Sequence, residues 1–166
     1  LQRAVKEVDP EGTDPALRQM VIIGHSQGGL LTKMTVVNSG TRFWDARFDA
    51  PFEQVDVSAE TKDLLRRSMF VEPLPFVSEV IFICTPLRGS YLTENILGKL
   101  ARRLVTFPAT LTKVGVEMVK LNPVGAAQTA WHLPTAIDNM DWSNPFLKTL
   151  AALPIAPGVE AHSIVA

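Results

Sequence analysis

Apolar and polar positions follow two rhythms along this chain. Leu1, Ala4, Val5 and Val8 recur at helical spacing with Arg3, Lys6 and Glu7 between them, which predicts a helix over 1–8 that ends at Asp9-Pro10. Asp14-Pro15 predicts a second, short helical turn, because a proline at the first helical position gives up an amide that has no partner there anyway. Met20-Val21-Ile22-Ile23 is an unbroken apolar run, too short for a helix and stopped by Gly24, so it predicts a strand buried on both faces. Leu30, Leu31, Met34 and Val37 then return to the i, i+3, i+4, i+7 spacing and predict a helix that Asn38-Ser39-Gly40 stops. Strand, tight turn and helix thus fill positions 20–39.

Positions 41–75 mix charges with Phe43, Trp44, Phe48 and Phe52 before a helix predicted near 58–70, ended by Pro73 and Pro75. Val80-Ile81-Phe82-Ile83-Cys84 is a second fully apolar run, ended by Thr85-Pro86, and Ser163-Ile164-Val165 begins a third. Apolar strands separated by helices predict an α/β fold with a parallel sheet. The third run begins much further along than one crossover requires, so an insertion is expected between, with helices over 93–105 and 109–121.

Composition narrows the class. With 46% hydrophobic and 20% charged residues the chain is globular, one domain at most. Sixteen basic against seventeen acidic residues give a net charge of −1, so no basic field exists to hold a nucleic-acid backbone. No window approaches 18 consecutive apolar residues and the first residues carry no signal-peptide pattern, so a soluble piece is expected. The single cysteine, Cys84, excludes a disulfide framework and a multi-cysteine zinc site and leaves the compartment open. The chain opens inside an amphipathic segment and closes within what reads as a strand, so a cropped sequence is expected.

Chemistry concentrates at Gly24-His25-Ser26-Gln27-Gly28-Gly29. This contains Gly-x-Ser-x-Gly, the nucleophile elbow, in which a serine sits on a strained strand-to-helix turn with its hydroxyl exposed. Side chains at 24 and 28 are expected to crowd the turn. The amides opening the next helix, Gln27's among them, would point at a developing oxyanion. The apolar run before the motif and the amphipathic pattern after it supply the context it requires. The alternative is a glycine-rich turn carrying a solvated serine.

On these residues the chain resembles the α/β-hydrolase superfamily, and within it bacterial lipase- or esterase-like serine hydrolases. The likeness extends to Phe82-Ile83-Cys84-Thr85-Pro86-Leu87-Arg88-Gly89-Ser90, to 137–154 and to His162-Ser163-Ile164. That subgroup usually has histidine where this chain has Leu87, so no role of that side chain is carried over. The resemblance implies an incomplete α/β-hydrolase domain over 1–166, with a helical lid or cap near 91–150. It also implies a small-molecule or lipid carboxylic-ester substrate, Ser26 as nucleophile, the Gln27 amide as oxyanion donor, and neither metal nor cofactor. His25, Arg88 and Ser90 are candidates for the substrate site.

A triad also needs an acid and a histidine after the serine. His162 at the start of a strand, His132 in the insertion, and Glu94, Asp138 and Asp141 are the available side chains. Each has a plainer place: His162 at the far edge, His132 as a lid-surface or packing residue, Glu94 as a first-turn helix acid, and Asp138 as a cap or turn former, with Asp141 like Asp138 away from any strand end. By resemblance the true pair would lie beyond Ala166, and the second oxyanion donor ahead of Leu1. Lys99, Arg102, Arg103, Lys113 and Lys120 against Glu94 and Glu117 give 5 − 2 = +3 over 91–133, suited to a cap over an acyl pocket or to contact with an anionic membrane surface. The alternative classes are a hydrolase-like scaffold that binds a lipid or protein without turnover, and a related acyltransferase.

Overall fold

The computed structural model describes residues 1–89, 117, 141 and 143–165. Two compact units divide the chain: Leu1–Gly40 with Val71–Leu87 and Leu150–Ala166, and Thr41–Phe70 with Arg88–Thr149.

The first unit is built on a parallel sheet, which places the chain in the α/β class. Helix α1 (Gln2–Val8) and a 3-10 turn (Pro15–Arg18) precede strand β1 (Met20–His25), and helix α2 (Gln27–Met34) follows it. The Asp14 carboxylate accepts from the Ala16 amide and starts the 3-10 turn at Pro15, as the Asp-Pro pair predicts. Strands β2 (Val77–Ile83) and β3 (Glu160–Ile164) complete a sheet of order β1-β2-β3, with Ile23 paired to Ile81 and Ile81 to His162.

The core lies on one face of this sheet. Val36, Val77, Val80 and Phe82 are buried there, with Ile22, Leu74, Phe76, Ile155 and Val159 packed around them. The opposite face is open: Val21 and Ile23 are 49% and 62% exposed. The expectation that β1 is buried on both faces is therefore corrected, because side chains cover only the Ile22 side and β1 is an edge of the described sheet. β3 starts at Glu160, three residues before its apolar run. Every residue in it is exposed, so Glu160 and His162 occupy strand positions without leaving water.

The predicted helix after the elbow also ends early. α2 stops at Met34, and Val37 instead forms an isolated antiparallel bridge with Ile155. The reason lies in where the backbone groups of 35–39 find partners. Leu74 N–H donates to Thr35 O at 2.8 Å, Ala156 N–H to Val36 O at 2.8 Å and Ser39 N–H to Val71 O at 3.0 Å. Those non-local bonds replace the helical ladder.

In the second unit, α3 (Arg42–Asp45), a 3-10 turn (Phe52–Gln54) and α4 (Ala59–Met69) surround an aromatic cluster. Trp44 stacks on Phe48 at 4.2 Å, meets Phe52 edge-on at 4.9 Å and donates its indole N–H to Ala50 O at 2.7 Å. α4 matches the predicted helix. Ser58 caps it by accepting from Thr61 N–H at 3.3 Å, and Ser58's own N–H and hydroxyl donate to the Glu117 carboxylate at 3.1 and 3.0 Å. Helix α5 (Pro145–Ala152) is opened by Asn144, whose side chain accepts from the Phe146 amide at 2.9 Å. Apart from Glu117, the two insertion helices and the basic residues assigned to the lid lie outside the described residues.

Candidate active site

The turn between β1 and α2 is set by contacts at two of its three glycines. A Cβ at Gly24 would lie 2.5 Å from Gly29 Cα and 2.8 Å from Gly29 N, so strand and helix approach too closely for any side chain. A Cβ at Gly29 would fall inside the Thr85 side chain, 2.5 Å from its Cγ2. Gly28, by contrast, faces open space. The expectation that 24 and 28 both crowd the turn is thus corrected: the crowded second position is Gly29, which points back at the sheet while Gly28 points away from it.

Ser26 takes φ 52° and ψ −126°, left-handed backbone that a residue with a side chain avoids. Holding it there costs about 1–3 kcal/mol, which the surrounding contacts must offset. Its N–H donates to Ile83 O at 2.8 Å, and its carbonyl accepts from Gly29 N–H at 3.1 Å. Serine at a helix N-cap ordinarily turns its oxygen onto an amide of the first turn. Ser26 occupies the N-cap of α2 and makes no such bond. The hydroxyl is half-buried and held off the helix end, while Gln27 is the first residue of α2, where helical amides project along the axis.

The other sequence-predicted residues divide by position. His25, the last residue of β1, is exposed. Arg88 is exposed beyond β2, and Ser90 lies outside the described residues, as do Glu94, His132 and Asp138. Asp141 accepts from the backbone and hydroxyl of Ser143 at 2.8 and 2.7 Å.

His162 stands 3.4 Å from Glu79 and 3.9 Å from Glu160 on β3. It shares a row with Ile23, three rows before Ser26 and two strands across. At about 3.3 Å per row and about 4.8 Å per strand, it is roughly 10 Å away in each direction, beyond the ~3 Å reach of a base. Among the described residues, no histidine–carboxylate pair is brought to the Ser26 hydroxyl.

Two residues here carry a weak sequence signal. Cys84, at the end of β2, is the other non-glycine residue at positive φ (48°) among those described, and nothing in its apolar run announces this. Thr85 is visible only through its neighbour, since a second glycine after Gly-x-Ser-x-Gly is a hint of close approach. A separate cleft of about 140 Å³ in the second unit, with Phe43, Met69 and Phe146 in its lining, contains none of the predicted site residues. Compared with family models, with curated proteins and with solved structures, the chain finds no match in any of the three.

Proposed function

We propose that this protein is a serine hydrolase of the α/β-hydrolase type that acts on carboxylic esters through an acyl-enzyme on Ser26. The observation that carries this reading is the non-capping serine: a residue type well suited to close a helix end instead sits at φ 52° with its hydroxyl withheld from α2. Strain of this kind is the defining feature of a nucleophile elbow. In the reaction Ser26 Oγ adds to the ester carbonyl carbon and its proton passes to a base. The oxyanion is stabilised by the Gln27 amide at the positive end of α2. Collapse of the tetrahedral adduct breaks the ester C–O bond and releases the alcohol, protonated by the same base. Water then repeats the addition on the acyl-serine and releases the acid.

A lipid- or protein-binding scaffold without turnover is favoured by one observation: no acid–base pair stands at Ser26 among the described residues. A fluorophosphonate probe separates the two readings. Labelling that is lost in Ser26→Ala is the expected result. A wild-type protein that stays unlabelled at Ser26 overturns the hydrolase reading and leaves the scaffold.

A further inference from the structure

We infer that Thr85 is a positioning residue of the elbow: its side chain is a steric wedge that fixes Gly29, and through it the first turn of α2, against the end of β2. This rests on the reading of Ser26 as nucleophile and names what holds that nucleophile in place.

The placement begins with the strand ends. His25 pairs with Ile83, so Ser26 and Cys84 occupy the next row, and both take left-handed backbone. β2 is still joined to β3 at that row, because Cys84 N–H donates to Ile164 O at 2.9 Å. The bend at Cys84 follows at once and directs Thr85 towards α2, where a Cβ on Gly29 would lie nearest Thr85 Oγ1, 2.5 Å from its Cγ2 and 2.7 Å from its Cβ. Residues 26–29 are therefore held at two points of one strand end. Ile83 O grips the Ser26 amide at 2.8 Å, and Thr85 bears on Gly29, whose own amide returns to Ser26 O at 3.1 Å.

Distances decide which part of the threonine acts. Its hydroxyl reaches Gly24 O at 3.4 Å and Ile83 O at 3.5 Å, long against the ~2.8 Å of a good O–H···O bond. The contact with Gly29 is tight enough to exclude a methyl group. Shape, not hydrogen bonding, is the operative property: valine keeps both branches of the wedge and should substitute for threonine, whereas serine keeps Oγ1, the atom nearest Gly29, and loses Cγ2, so it should substitute in part.

The test measures two quantities on the intact protein, the rate of fluorophosphonate labelling at Ser26 and the thermal midpoint. Thr85→Ala should slow labelling about ten- to a hundred-fold, the range expected when a reacting atom shifts by up to an ångström. Thr85→Val should recover the rate to within about threefold of wild type, a margin small against the loss it repairs. Thr85→Ser, which keeps Oγ1 and loses Cγ2, should fall between the alanine and valine levels. Wild-type labelling in Thr85→Ala, or recovery by serine in place of valine, overturns the wedge.

A second pair reads the contact without chemistry. Gly29→Ala should lower the thermal midpoint, and adding Thr85→Gly should recover most of the loss; no recovery overturns the inference. If the wild-type protein is not labelled at Ser26, the nucleophile reading fails, and this second pair still decides whether the wedge exists.

Discussion

The sheet unit and the aromatic unit are held together by different kinds of contact. In the sheet unit the critical approaches are made at glycines: Gly24 against the Gly29 backbone, Gly29 against the Thr85 side chain, with two residues in left-handed conformation at adjacent strand ends. In the aromatic unit they are between large side chains, with Trp44 almost fully buried against Phe48 and Phe52, and Lys62 and Arg66 lying over the Phe52 ring at 5.6 and 4.9 Å. Burial of wide apolar surface stabilises without demanding one backbone geometry. Glycine contacts do the reverse, adding little apolar area but fixing where a side chain points. A nucleophile belongs on the second kind of framework.

That contrast can be broken first on the aromatic side. Trp44→Ala removes the largest fully buried side chain among the described residues and leaves Ala50 O without its indole donor, so it should cost about 3–5 kcal/mol in urea unfolding. A loss below about 1 kcal/mol would mean that the cluster is not the core of its unit.

The sheet side is tested by a pair of identical substitutions. Gly24→Ala forces a methyl group into the backbone of Gly29 and should cost about 1–3 kcal/mol and abolish Ser26 labelling. Gly28→Ala meets nothing within 4 Å and should leave stability within about 0.5 kcal/mol of wild type, or improve it, since alanine is the better helix former. Equal effects at the two positions would remove the account of the elbow given above.

A smaller effect should appear in the pH dependence. Lys33, on the buried side of α2, donates its ammonium to Ala151 O at 2.9 Å, and burial holds its pKa below the ordinary 10.5. Between the lowered value and 10.5 the unfolded chain binds more protons at this amine than the folded one, so its contribution makes stability rise with pH there. Urea midpoints across that interval should show the rise in wild type and a flatter profile in Lys33→Met.

The smallest effect belongs to the surface. Glu53 meets Arg66 at 2.9 Å and Lys62 at 3.9 Å, with Glu53 and Arg66 open to water and Lys62 partly buried. Glu53→Gln should cost no more than about 0.5 kcal/mol and nothing measurable in high salt.

Local signals carried much of this structure into the amino-acid sequence. Asp14-Pro15 and Ser58 start helical segments where their side chains can meet a nearby amide, and those bonds form. The Gly-x-Ser-x-Gly pattern marked the turn at Ser26 because strand, serine and helix are contiguous in the chain. Position along the chain was enough wherever the partner lay within a few residues.

Tertiary structure decided the rest, wherever a group's partner came from far away. Helical spacing extended α2 to Val37, but 71–74 and 155–156 supplied backbone bonds that ended it at Met34. The apolar stripe assigned Leu31 to the core, yet α2 turned Gly29, Leu30 and Lys33 inward and left Leu31 65% exposed, because close approach to β2 required the face with the glycine. Chain order left His162 a place after the serine, and the sheet register then set it three rows and two strands away. Periodicity reports which residues share a face of one element; which face is buried, and which distant residue meets it, depends on the approach of a second element that periodicity does not encode.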